Sequence, residues 1–243
     1  IVKTYDEVSA FETAASAKAN LCTAVASKSV TGTPPASYVN QFDAVIWSTG
    51  TDIANIDDSD AEVLSGYYNA KGRVIVEGSD VAFRHSNDER LQDVIHAKLK
   101  NDLLFSTMSD SDINSFDISL TRLHPVSKGL PNPLPFNASV DIYPDDVEPV
   151  NQGAELGAWN GLGANGSALV VYEDGTRRTL FLPFSISALQ AADRGLLASN
   201  SVNWLLDNTN LDITAELVGT TYFLFGGAVR LDVTVYNGGE YSW

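Results

Sequence analysis

The stretch Arg73-Val-Ile-Val-Glu-Gly-Ser-Asp-Val81 constrains this chain more than any other. Its β-branched run is continuous rather than alternating, and it stops abruptly at Gly78-Ser79-Asp80. Such a run reads as a strand buried on both faces, the mark of a parallel sheet covered by helices. Helical patterns flank it on both sides. Ahead lies Ser59-Asp-Ala-Glu62 with capping-box spacing, then Ala61, Leu64, Tyr67 and Tyr68, and a cationic last turn with a glycine stop at Lys71-Gly72. Behind lies a further box, Ser86-Asn-Asp-Glu89, which opens a helix over residues 87–99 with Leu91, Val94, Ile95 and Leu99 on one face. In an α/β fold this places Ser79 at the C-terminal end of a central strand, where such folds keep their sites.

The remaining chain extends the pattern and then loses it. Thr4-Tyr-Asp-Glu7 has capping-box spacing, and Val8, Phe11, Ala15 and Ala19 predict a helix over residues 5–20. Residues 21–26 allow a strand, Thr31-Gly-Thr-Pro-Pro35 is loop, and Asp43-Ala-Val-Ile-Trp-Ser48 is a second buried strand ending at Thr49-Gly50. Residues 106–166 are rich in Ser, Asp, Asn and Pro and predict short edge strands between long ordered loops. Ala168-Leu-Val-Val-Tyr172 and Arg178-Thr-Leu-Phe-Leu182, joined at Glu173-Asp-Gly175, predict a hairpin, and a last helix is expected near residues 187–206. Beyond Asp207-Asn-Thr-Asn210 the period changes to two, with strands over residues 213–218 and 229–235 and turn chemistry at Asn237-Gly238-Gly239. The expected architecture is a three-layer α/β sandwich with a mostly parallel, flavodoxin-like sheet over residues 1–208. A short all-β segment over residues 209–243 would open an immunoglobulin-like domain or supply exchanged strands, being too short for a sheet of its own.

Charge narrows the partners. The 243 residues carry a net charge of −16, which repels phosphate backbones and argues against nucleic acid. No apolar run is long enough to span a bilayer. The single cysteine, Cys22, lies in an apolar setting and reads as a buried structural thiol. The chain opens at Ile1 and its one methionine is Met108, so a processed or excised piece of a longer protein is expected. Asn137-Ala-Ser139 and Asn165-Gly-Ser167 are glycosylation-type sequons and point to an extracellular or cell-surface setting.

Several segments carry a resemblance. Phe42-Asp-Ala-Val-Ile-Trp-Ser-Thr-Gly50, Lys71-Gly-Arg-Val-Ile-Val-Glu-Gly-Ser-Asp80, His124-Pro125, Gly129-Leu130, Ala168-Leu-Val-Val-Tyr172 and Leu180-Phe-Leu-Pro-Phe184 stand in the order expected of one family. From Leu21 to Leu206 the chain is similar to the class I glutamine amidotransferase-like superfamily, in the divergent version found within large secreted or surface proteins of archaea and bacteria. Residues 229–239 are similar to the opening strands of CARDB-type adhesion modules. The resemblance implies a central strand ahead of the first helix, with Ile1-Val2 as its stump and the rest on an upstream segment of the same precursor or on another chain. A homo-oligomer is the open alternative.

The chemistry implied by that family is not carried over. Its elbow cysteine is replaced by Ser79, and its late-strand histidine is missing from Leu182-Pro-Phe-Ser185. Glutaminase activity is therefore not expected. The leading expectation is a non-catalytic structural or interaction domain with no cofactor. The first alternative is a serine hydrolase with Ser79 as nucleophile, His85 (or, as a second choice, His124) as base and Glu77 or Asp80 as orienter. Against it, Glu77 and Val81 stand where a nucleophile elbow needs glycines. The second alternative is a small-ligand or sugar-binding module built on Thr49, Gly50, Gly78 and Asp80. His96 is expected at the surface of its helix, and His124-Pro125 as a loop anchor. Asp57-Asp58-Ser-Asp60 and Asp110-Ser-Asp112-Ile-Asn114 cluster oxygens of the kind calcium takes. The first run is equally explained as acid at a helix N-terminus, and the second lacks the loop glycine and distal glutamate. No metal site is therefore assigned. No His/Cys cluster suggests zinc, and no glycine-rich loop opens a helix for a nucleotide.

Overall fold

The computed structural model describes residues 2–3, 9–17, 26–27, 32–51, 56–103, 116–141, 143–161, 164–206, 211–217 and 231–237. Cys22, the Asp110 to Asn114 run and the Gly238-Gly239 turn lie outside the described residues. The parallel half comes first. Strand β1 (Val2–Lys3) and helix α1 (Ser9–Ser16) are followed by β2 (Ala26–Ser27), a short helix α2 (Ala36–Val39) and β3 (Val45–Gly50). Helix α3 (Asp58–Ala70) then leads to β4 (Arg73–Gly78). Strands β2, β1, β3 and β4 pair parallel in that spatial order, with Val2 facing both Ala26 and Trp47.

The second half is antiparallel. Helices α4 (Val81–Arg84) and α5 (Glu89–Ile95) run into β5 (Ala97–Asp102), and β6 (Asp117–Leu120), β7 (Leu134–Pro135), β8 (Asp145–Pro149) and β9 (Ala154–Asn160) follow. The expected hairpin forms as β10 (Ser167–Glu173) and β11 (Arg178–Leu182), and helix α6 (Ala191–Leu206) closes this part. Strand β11 lies parallel beside β4, and β10, β9, β6 and β7 continue the sheet antiparallel, while β5 pairs β8 off the β10 edge. Strands β12 (Leu211–Leu217) and β13 (Leu231–Asn237) form a separate antiparallel pair.

This corrects the expected fold class. The sheet is mixed and strongly curled, a half-barrel of nine strands along its main path, not a mostly parallel flavodoxin-like layer. Two physical causes stand out. The hairpin adds β11 parallel to β4 and then reverses direction at β10, and the region without periodicity supplies sheet strands rather than edge pieces, with β9 held between β10 and β6. Register shifts in the β9–β10, β5–β8 and β3–β4 ladders then add local twist and bend the sheet. Gly157 of β9 lets this bend close, because a Cβ there would stand 2.8 Å from both Ile118 and Leu169 side-chain atoms.

The continuous apolar runs are explained by burial on both faces. From β3 and β4, Ile46 and Ile75 join one core with Phe11 of α1 and Leu197, Val202 and Trp204 of α6. The alternate residues Trp47, Val74 and Val76 join another with Leu64, Tyr67 and Tyr68 of α3 and Leu91 and Val94 of α5. Each fully buried side chain of this size stabilises the fold by about 1.5–3 kcal/mol. At the last turn of α6, Arg178 donates to the Trp204 carbonyl at 2.6 Å and to Glu173 at 2.9 Å, satisfying a helix C-terminal acceptor from the neighbouring strand.

Two helix boundaries differ from the pattern. The box on α3 is Asp57 with Asp60, two residues ahead of the expected one: Asp57 accepts from Ser59 N and Asp60 N, and Asp60 accepts from Asp57 N. That accounts for Asp57 and Asp60 as helix caps. Helix α5 ends at Ile95 instead of running to residue 99, because His96 turns left-handed (φ 53°) and is held from three sides. Its Nδ1 donates to the Asn151 carbonyl at 2.7 Å, its Nε2 accepts from Tyr68 Oη at 2.8 Å, and its ring stacks on Tyr172 at 3.6 Å. The expected surface histidine is thus buried, and burial holds its pKa down.

His124 anchors its loop, with Nδ1 accepting from Val126 N at 3.2 Å and its ring edge-on to Trp204 at 5.0 Å. Burial, then Arg122 and Arg178, hold its pKa down to about 3. The unfolded chain binds a proton near pH 6.5 that the native state refuses, so this contribution is complete above that pH and is lost as pH falls toward 3. Between pH 6.5 and 5 the loss is about 2 kcal/mol. His124→Asn keeps a capping oxygen and does not titrate. Urea unfolding at pH 7 and pH 5 should show the wild type losing about 2 kcal/mol more than the variant over that interval. Equal losses would remove His124 from the acid response.

Candidate functional site

Strand β4 ends in a backbone that few side chains tolerate. Gly78 has φ 143° and packs so closely on Thr49 that a Cβ would collide with Thr49 Oγ1 and lie 3.0 Å from Thr49 Cβ. Ser79 N then donates to the Gly50 carbonyl at 2.9 Å, and Asp80 adopts a left-handed conformation with φ 56°. Asp80 N donates to the Tyr143 carbonyl at 3.1 Å. The turn is therefore fixed to the end of β3 on one side and to the segment before β8 on the other. Thr49, Gly50, Gly78, Ser79 and Asp80 all meet here, and all are buried.

Two carboxylates bind this turn to the exit of β11. Glu77 accepts from Ser48 Oγ and, at 2.6 Å, from Ile186 N. Asp141 accepts from Ser79 Oγ at 2.7 Å, from Tyr143 N at 3.1 Å and from Ser185 N at 2.6 Å. Both side chains are fully buried. Among the described residues, two hydroxyls and three backbone amides donate to these two side chains.

A third group lies beside them. One carboxylate oxygen from each of Asp80, Asp102 and Asp145 falls within 4.8 Å of the others. Asp80 comes from the turn after β4, Asp102 ends β5, and Asp145 begins β8. Asp145 spends Oδ2 on Ala82 N at 2.8 Å and Phe83 N at 3.2 Å, the first turn of α4. Its Oδ1, like Oδ1 of Asp102, is buried with no hydrogen-bond partner among the described residues. Burial first, then Asp102, pushes the Asp80 carboxyl up to about 6. Burial raises Asp102, and raises Asp145 well above the usual carboxylate range in spite of its two amides.

The residues weighed for catalysis are thus divided. Ser79 and Glu77 sit at the turn, and among the described residues the Ser79 hydroxyl donates to a carboxylate, Asp141. His85 is directed elsewhere: Nε2 donates to the Ile56 carbonyl at 2.9 Å, and Nδ1 stands 3.8 Å from Asp88. The ring nitrogen that a base would use is already a donor to a main-chain oxygen. Asp102, Asp141 and Asp145 were not legible from sequence. Asp141 and Asp145 come from the stretch without periodicity and Asp102 from the strand end just ahead of it, and only the fold brings them to Asp80. A separate cleft of about 500 Å³ is lined by Arg122, Leu123, His124, Gln152, Tyr172 and Glu173, among others. Of the histidines considered, His124 lines it, with its ring committed to Trp204 and Val126.

No protein-family model matches the sequence, and no curated protein matches it. Solved structures do share the fold. The chain superposes on the cytoplasmic protein STM1381 from Salmonella typhimurium LT2 with a TM-score of 0.58 at 13% identity, covering 83% of this chain and 86% of that one. The N-terminal domain of mmIFT52 gives 0.50 at 14% identity over 76% of this chain and 85% of that chain. A cold-adapted β-galactosidase from Rahnella sp. R3 gives 0.52 at 13% identity, where 81% of this chain matches only 27% of the enzyme. At these identities the likeness is one of fold alone. The resemblance to the glutamine amidotransferase-like superfamily is overturned by the mixed curled sheet and by these neighbours.

Proposed function

We propose that this chain is a non-catalytic structural or interaction domain of a larger secreted or cell-surface protein. The observation that carries the reading is the state of Ser79: its hydroxyl is fully buried and donated to Asp141 at 2.7 Å. A nucleophile needs an accessible oxygen and a base that takes its proton. Here the hydroxyl, Glu77 and Asp141 together tie β3, β4 and the Ser185-Ile186 segment into one unit, which is work for a scaffold. The extracellular setting is supported by Asn137 and Asn165, both exposed and therefore accessible to glycosylation. No described helix is long and apolar enough to cross a membrane.

Fluorophosphonate labelling read by intact mass tests the reading. The folded wild type and Ser79→Ala should both remain unlabelled. A single adduct on the wild type that disappears in the variant would make the protein a serine hydrolase.

A further inference from the structure

We infer that Asp80, Asp102 and Asp145 form a binding site for one hard divalent cation, which joins the ends of β4, β5 and β8. Three carboxylates with oxygens inside 4.8 Å of each other are already at the spacing of neighbouring ligands around one ion. A cluster of acids alone would prove little. The second observation is Asp145, which is fully buried and keeps Oδ1 without a hydrogen-bond partner among the described residues while Oδ2 is held by two amides. A buried unpaired carboxylate oxygen is costly, and a cation is the partner that removes the cost for all three groups together. Asp102 repeats the pattern with its own unpartnered Oδ1. It is half-buried where Asp145 is sealed, so it marks the side from which an ion would enter.

The donor set defines the ion's class. All three ligands are carboxylate oxygens with no nitrogen or sulfur among them, which suits Ca²⁺, Mg²⁺ or Mn²⁺ rather than zinc or copper. The ligands are also preorganised. The amides of Ala82 and Phe83 orient Asp145, and the left-handed turn at φ 56° orients Asp80. Burial is the first cause of the upward shift of each of the three carboxyls. The competing arrangement is three acids sharing protons. It predicts no dependence on metal.

The experiment uses the full chain stripped with chelator, then melted alone and with millimolar Ca²⁺, Mg²⁺ or Mn²⁺. At a hundredfold excess over Kd, a bound ion should raise Tm by about 5–10 °C. Asp80→Asn retains a residue that accepts the left-handed turn, and Asp102→Asn changes a half-buried strand end, so both should fold. In chelator each should melt at or above the wild type, because one of three crowded charges is gone. Each should lose the cation-induced rise, with affinity at least tenfold weaker. Terbium gives a readout on the wild type alone: Trp159, whose indole N–H donates to the Asp145 carbonyl at 3.0 Å, should sensitise its emission, and Ca²⁺ should compete it away. Ser79→Ala should bind as the wild type does, which keeps this test separate from the hydrolase question. No Tm rise with any of the three ions, or an undiminished rise in both Asn variants, would overturn the site.

Discussion

Replacing Gly78 by alanine should destabilise the protein by about 4 kcal/mol or more, enough to leave much of it unfolded at physiological temperature. Two costs add. At φ 143° an L-residue is strained whatever surrounds it, and the new methyl would enter the space of Thr49 Oγ1, with Thr49 Cβ at 3.0 Å and Gly50 N at 3.1 Å. The neighbour cannot withdraw, because Thr49 is fully buried in β3 and Ser79 N is bonded to the Gly50 carbonyl on the same side. Gly66 is the control. It sits exposed within α3, where an added methyl would meet nothing inside 4 Å, so Gly66→Ala should stabilise by about 0.5–1 kcal/mol through helix propensity and the unfolded chain. Urea unfolding of both variants should move the midpoint in opposite directions. A Gly78→Ala protein with wild-type stability would mean that the turn does not require this backbone.

Removing the acceptor at Asp141 should be nearly as damaging. In Asp141→Ala the Ser79 hydroxyl and the amides of Tyr143 and Ser185 lose their common partner in a buried place. Stranded donors cost about 1–3 kcal/mol each before relaxation, so a loss of about 4 kcal/mol is expected in denaturant unfolding. Asp141→Asn should fall between, since its amide nitrogen cannot accept from Ser185 N. Ser79→Ala should cost only about 1 kcal/mol, one hydrogen bond from the shared set. The order is the test. A Ser79→Ala variant as unstable as Asp141→Ala would show that the hydroxyl, not the carboxylate, is the centre of this network.

The turn at Gly78 was legible because its cause is local. A β-branched run followed by Gly-Ser-Asp announces a buried strand and a sharp exit whatever the rest of the chain does. The same holds for the α3 cap, read two residues late because Asp and Ser both cap and only hydrogen-bond geometry separates them. His96 shows the opposite case. Its helix pattern continued plausibly to Leu99, but Tyr68, Asn151 and Tyr172, remote in sequence, hold the ring and free the following residues to pair with β8. The carboxylate cluster failed for a related reason: Asp80, Asp102 and Asp145 share no spacing or periodicity, and their meeting is a property of three strand ends.

By itself the sequence determined the elements whose signals repeat within a few residues: the buried strands at Val45 and Arg73, the helices on either side, the hairpin at Gly175 and the period-two strands near the C-terminus. It also set the net charge of −16. Only the tertiary structure decided that the sheet is mixed and curled, that the aperiodic middle supplies strands β6 to β9, and that the Ser79 hydroxyl is spent on Asp141. The physical reason is range. Propensity, capping and burial period act between near neighbours along the chain, whereas strand order, register shifts and the pairing of buried charges are settled between residues that meet only once the chain has folded.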